Sequence, residues 1–340
     1  MLRKIAAAAV SLAMLALVAC GPHKPVDFSQ GVPTKELATI GMPQSGSQGL
    51  VVEGSAHEQL VALGQVMDQA VQGETADLYR VTVGATYLVN GATGWLLAAL
   101  AAGVAHRPTS VEGNTAVYGP YTPYLSAITW KLTVTRTAFN SFSYILEGQD
   151  KTRPQSAWVQ VISGSHTVTV DENDDAIRGF GQGVFLIEWD KASTLPGRSN
   201  DTGTCEVHYG KELPSSPAIV NVSFNNVSGA DPSKEFNAEY RFSLQPSTAG
   251  EFEFALDVNT QPFGTALVER WGIQSRWLQT GAGRADVKAH GGDLVTPITV
   301  NECWDAAFLS QYYAKSDEVG IGYGVESQAC AFASAEYSQL

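Results

Sequence analysis

From Trp130 onward the chain alternates apolar and polar residues with period two, and few folds tolerate that pattern. In WKLTVTRT, Trp130, Leu132 and Val134 share one face while Lys131, Thr133 and Thr135 share the other. Successive side chains on a strand point to opposite sides, so such a run makes a strand with one face in a core and one in water. FSYILEGQ, AWVQVIS, HTVTVDE and GQGVFLIEWD follow. Later come AIVNVSFNNV, FNAEYRFSLQ, EFEFALDV, TALVERWGI, SRWLQTG and RADVKAHGG. Turn residues separate them: Glu147-Gly148, Asn173-Asp174, Ser247 to Gly250, Gly281 to Gly283 and Gly291-Gly292. Short links between alternating strands specify antiparallel neighbours, hence a meander. About eleven strands in one row curl or close rather than stay flat. No blade-length repeat argues for a propeller.

Ahead of the strands the period changes. Ser55 and Glu58 form a capping box, and Leu60, Leu63, Val66, Met67, Ala70 and Val71 recur at helical spacing until Gly73. Residues 76–106 read either as a strand followed by a helix or as one long helix. β-Branched Val81, Thr82 and Val83 favour the first; the lack of a turn before Asn90-Gly91 favours the second, which is the preferred reading. Within Ala92–Ala105, Trp95, Leu96, Leu97, Leu100 and Val104 sit among alanines with no charge. A helix apolar all round must be buried, and this stretch is too short to cross a bilayer. It is expected to sit inside the sheet, or to line or plug an apolar ligand cavity. The expected fold is therefore mainly β with N-terminal helices (α+β). A large antiparallel meander, as a curved open sheet or half-barrel, packs around the apolar helix. One domain covers 55–340, with its helical part at 55–106.

The first residues address the chain rather than fold it. Arg3 and Lys4 precede an apolar or small stretch from Ile5 to Ala19, broken only by Ser11. At ~1.5 Å per residue it spans only about 22 Å, which suits a secretory signal better than a spanning helix. Leu17-Val18-Ala19-Cys20-Gly21 resembles the lipobox of bacterial lipoproteins. That resemblance implies cleavage after residue 19, a diacylglyceryl thioether on Cys20 and acylation of the new amine. Several acyl chains hold a protein on a membrane almost permanently. In that family Asp after the Cys retains proteins on the inner membrane; Gly21 therefore implies the cell envelope at the outer membrane, on an unspecified leaflet. Residues 20–54, rich in Pro, Gly, Ser and Gln, read as a flexible tether.

The whole chain carries a formal net charge of −13, which becomes −15 once Arg3 and Lys4 are removed. That balance repels phosphate, so nucleic acid is excluded as a partner and no polybasic patch attaches the chain to lipid. With Cys20 lipidated, Cys205, Cys303 and Cys330 remain. Cys303 with Cys330 is the favoured disulfide, closing a loosely structured loop worth roughly 3–4 kcal/mol. Pairing of Cys205 with either one, or no bridge, stays open.

Chemical motifs fail on inspection. His57-Glu58 lacks the second histidine of a zinc-protease helix, with Val61 in its place. Asp171, Asn173 and Asp175 open like a calcium loop, but Ala176 and Gln182 occupy the required Gly and Glu positions. GAGRAD from Gly281 is a turn, and no G-x-S-x-G is present. Cys205 and His208, three apart on one strand, face opposite sides. Glu251 and Glu253 read as a water-facing pair. No metal, cofactor or catalytic residue is expected.

NECWDAAFLSQYY, Asn301 to Tyr313, resembles uncharacterised proteobacterial envelope lipoproteins, a likeness that brings no chemistry with it. At fold level alone, a half-barrel over a helical plug is similar to periplasmic lipoprotein carriers and receptors. The expected role is a non-enzymatic binding or structural lipoprotein, with a lipid or other apolar molecule as ligand. A cell-surface recognition or adhesion module and an envelope hydrolase are the alternatives.

Overall fold

The computed structural model describes residues 26–42, 70–198, 201–228, 236–245, 249–258, 267–317 and 322–340. Within them one long helix, α1 (Asp77–Val104), precedes a sheet of fifteen strands. The strands are β1 (Ser110–Glu112), β2 (Thr115–Tyr121), β3 (Ile128–Ala138), β4 (Ser141–Asp150), β5 (Val159–Val170) and β6 (Ala176–Glu188). Then come β7 (Thr202–Lys211), β8 (Ala218–Ser228), β9 (Phe236–Leu244), β10 (Ala249–Val258) and β11 (Glu269–Leu278). β12 (Gly283–Gly291), β13 (Ile298–Trp304), β14 (Ser310–Lys315) and β15 (Gly322–Tyr323) complete it. Spatial order follows chain order and every neighbouring pair is antiparallel, with β1 and β15 as free edges. This is the expected open meander.

The sheet curls around α1, and the contacts show why. Gly103 near the end of α1 sits against Leu132 of β3. Near its start, the Leu78 N–H donates to Glu302 of β13 at 2.6 Å. Ten strand spacings of ~4.8 Å make an arc of about 48 Å, whereas 25 helical residues span only ~38 Å. A flat sheet could not touch both ends of the helix.

Leu78, Val81, Thr82, Ala85, Val89, Thr93, Leu97 and Leu100 are all buried, at helical spacing, against the concave side. The buried threonines satisfy their hydroxyls locally: Thr82 donates to the Leu78 carbonyl and Thr93 to that of Val89. One expectation is corrected. α1 is not buried all round, because Gly91, Ala98, Ala101 and Ala102 face solvent. Alanine and glycine read as apolar yet cost little to leave wet, so the composition overstated the buried arc. The long-helix reading of 77–104 is the one adopted. Residues 55–69, where the first helix was expected, lie outside the described residues. No described helix is long and apolar enough to cross a membrane.

Alternation places the core as expected in β3, where Ile128, Trp130, Leu132 and Val134 are buried and the residues between them are not. Elsewhere strands merge. AWVQVIS and HTVTVDE join in β5, and TALVERWGI with SRWLQTG in β11. Glu147-Gly148 is no turn but part of β4: a Cβ on Gly148 would lie 2.6 Å from Leu195, so the glycine marks close packing. β1, β2 and β13–β15 carry patterns too weak or too short to read beforehand.

Two segments without periodicity cover opposite faces. Residues 26–42, expected to be tether, instead pack on the concave side, where Val26, Val32, Leu37, Ala38 and Ile40 are buried. Arg136 donates to the Val26 carbonyl at 2.6 Å, and Asn90 of α1 pairs with both backbone groups of Ile40 at 2.8 and 2.9 Å. The tether expectation is therefore corrected over 26–42. Its remainder lies outside the described residues.

On the convex side, residues 326–340 cross β13 to β10. The Cys303–Cys330 disulfide fixes them there, and Cys205 is free and buried. Beneath this strap Asp286, fully buried, accepts from Arg284 at 2.8 Å, Arg276 at 3.2 Å, Asn301 at 2.7 Å and the Glu336 N–H at 3.1 Å. Glu253 is likewise covered: it accepts from Arg241 at 2.8 Å, from Ser338 at 2.9 Å and from the Gln339 N–H. The expectation that Glu251 and Glu253 form a water-facing pair is thus corrected for Glu253. Alternation identifies the face a side chain points to, not what lies on that face.

Candidate functional site

A cleft of about 610 Å³ opens where the concave strap, the last turn of α1 and the β5–β6 hairpin meet. The local sequence explains the gap. α1 and its C-cap present Ala101 and Ala105 to the cleft, side chains too small to fill the space beside them. Val104 alone contributes bulk from that turn. Across from it stand Val32 and Leu37 of the strap, with Val168, Ile177 and Phe180 of the hairpin. The volume falls within the ~300–1,000 Å³ of small-molecule sites, and a mainly apolar wall with a few polar groups is their usual make-up.

Seven polar side chains interrupt that wall: Ser29, Gln30, Thr34, Lys35 and Glu36 on the strap, His166 on β5 and Arg178 on β6. His166 is buried, with Nδ1 2.9 Å from the Tyr209 hydroxyl. Burial pushes its pKa down to about 4, only partly opposed by a hydrogen bond to the Gln182 backbone. It is therefore a neutral hydrogen-bonding group at neutral pH. Gly181 makes room for it: a Cβ there would lie 2.8 Å from His166 Cε1, at a φ of +152° that disfavours other residues. Lys35 and Arg178 form no ion pair with any described residue.

A buried carboxylate, Glu302, lies at the other end of α1. Its N-cap residue, Ala76, offers no side-chain acceptor. Glu302 of β13 supplies one instead, accepting from the Leu78 N–H and, at 2.6 Å, from the Ser310 hydroxyl. Burial raises its pKa to about 7, Asp77 adding to the rise while these hydrogen bonds oppose it. One carboxylate oxygen holds the helix start and the other the Ser310 hydroxyl of β14, so the group serves the fold.

The structure distributes the expected site residues as follows. Val104 lines the cleft, whereas Leu97 and Leu100 are enclosed in the core. Trp95 and Leu96 belong to α1, and Cys20 lies outside the described residues. Cys205, wholly buried with its thiol pKa raised by burial, is no nucleophile, and His208 beside it bonds outward to Glu206 at 2.6 Å. The Asp171 turn folds on itself, the carboxylate accepting the Asn173 and Asp175 N–H groups at 2.8 and 2.9 Å. Among the described residues no cluster of His, Cys, Asp or Glu could hold a metal ion. Sequence reasoning missed His166, Lys35 and Arg178 because they come from three separate elements; the run Gly179, Gly181, Gly183 was the one local sign of close packing there. Comparison with protein-family models, with curated proteins and with solved structures finds no match to this chain.

Proposed function

We propose that this chain is a lipid-anchored envelope lipoprotein, held at the outer membrane through Cys20, whose cleft binds an apolar or amphiphilic small molecule without transforming it. The cleft of about 610 Å³ beside α1 carries this reading. The lipobox at Leu17 to Gly21 supports the anchor. Chain length links the two: Ser29 on the cleft wall is nine chain steps from Cys20, a reach of at most ~32 Å. A lipid on Cys20 would keep the cleft beside the bilayer.

Two measurements test this. Cys20→Ser should release the protein from the membrane fraction and abolish incorporation of labelled palmitate; an unchanged membrane fraction with no label in the parent defeats the anchor. Native mass spectrometry of the purified domain should show a small apolar species that Val104→Trp, filling the cleft, removes. A domain that is empty and takes up no added amphiphile defeats the binding role.

A further inference from the structure

The geometry points to an anionic head on the cleft's ligand: a single-chain amphiphile with a carboxylate or phosphate held between Lys35 and Arg178, its tail against Val104, Val168, Ile177 and Phe180. This deepens the binding role proposed above and rests on it.

The charge pattern argues for the sign. Acidic residues outnumber basic ones 34 to 21 in the whole chain, yet the cleft reverses that balance, with Lys35 and Arg178 against Glu36 alone. His166, neutral, does not alter it. A third cation stands close by, Lys211 Nζ lying 5.6 Å from the centroid of the Phe180 ring. The acidic turn Asp171–Asp175 is at the tip of the same hairpin, but none of its residues lines the cleft.

Pairing argues for vacancy. Several cations among the described residues are committed: Arg276 and Arg284 to Asp286, Arg241 to Glu253, Arg270 to Asp257 and Lys131 to Glu147. Lys35 and Arg178 are not committed, although Glu36 lies next to one of them in sequence. They come from separate elements and meet at one cleft with an apolar floor. Both side chains are exposed where they line the cleft, and an Arg fork and a Lys ammonium each bond an anion's oxygens, in charge-assisted bonds stronger than neutral ones. The Thr34 hydroxyl, also on the lining, has no hydrogen-bond partner of its own.

The test uses a chain lacking residues 1–19 and carrying Cys20→Ser, both changes outside the described fold. Laurate and dodecanol, alike in tail but not in charge, are titrated against it. Laurate should bind roughly ten-fold more tightly, with the preference shrinking as salt is raised. Lys35→Glu combined with Arg178→Glu should erase the preference, so that laurate binds no more tightly than dodecanol, with the circular dichroism spectrum unchanged. Equal binding of the two probes, or a double variant that still prefers laurate, overturns the anionic head and leaves the cleft as a binding site. Failure of both probes to bind overturns the head and the binding role together. A further arm presents lysophosphatidylglycerol in phosphatidylcholine vesicles: charge-dependent uptake from them names a membrane lipid as the source, and laurate binding without such uptake names a free carboxylate.

Discussion

Residues 26–42 and 326–340 both lack periodicity, and both lie along the sheet, yet they are held by different forces. The first lies in the concavity and buries Val26, Val32, Leu37, Ala38 and Ile40. The second lies on the convex side and buries no side chain of its own, while sealing Asp286, Arg284 and Glu253 beneath it. One is held by apolar area, at roughly 25 cal/mol per Å², the other by a disulfide and charge-assisted hydrogen bonds. The difference follows from the sheet itself. Alternation makes its inner face apolar and its outer face polar, so any segment laid on it must match the face it meets.

Breaking the ionic side should have the largest effect. Asp286→Ala leaves Arg284, wholly buried, with only the partly exposed Glu326 carboxylate of the strap, 2.7 Å away, and should cost about 3–5 kcal/mol in denaturant unfolding. A loss below 1 kcal/mol would mean that the strap lifts and lets water in. Cys330→Ser comes next. Releasing a bridge between residues 27 apart should cost about 3–4 kcal/mol and make the strap open to proteolysis first. On the apolar side, Leu37→Ala should cost about 3 kcal/mol, comparable to other core truncations, and should enlarge the cleft that Leu37 helps to wall.

Glu302 sharpens the comparison, being a buried carboxylate on the concave face with no cation bonded to it, whereas Asp286 on the convex face has two. Its folded pKa, near 7, lies above the unfolded value of 4.5. The folded state therefore binds the extra proton between those values. Its stabilising share is complete below pH 4.5 and is lost as pH rises through about 7, an effect of about 3 kcal/mol at most. Glu302→Gln should flatten that decline in a series of unfolding curves. His166 works in the opposite sense: with its folded pKa at about 4 against 6.5 unfolded, stability present above 6.5 falls as acid is added through 4. His166→Phe should remove that acid limb, and an unaltered limb would show that another group sets it.

The meander was legible because period-two alternation is clear in strands such as β3 and β4, and many of the links between strands are short enough to favour sequential neighbours. The Cys303–Cys330 pair was legible because once Cys20 is set aside few pairings remain. The straps were not: Val32, Leu37 and Ile40 are scattered among Pro, Gly and Thr, and only the curvature of a sheet distant in sequence gives them something to bury against. The cleft was half visible. Val104 belonged to an apolar stretch already singled out, whereas His166 and Arg178 sit on strands where their polarity reads as ordinary outer-face chemistry.

The local sequence by itself determined the clearly alternating strands, their antiparallel neighbours and the apolar stretch of the long helix, because each depends on spacing within about ten residues. Only the tertiary structure decided which polar residues are wet. Arg284 and Lys131 occupy the same kind of alternating position, and one is sealed while the other is not. Burial depends on what a remote segment covers, and a curved sheet brings together residues that no local period connects.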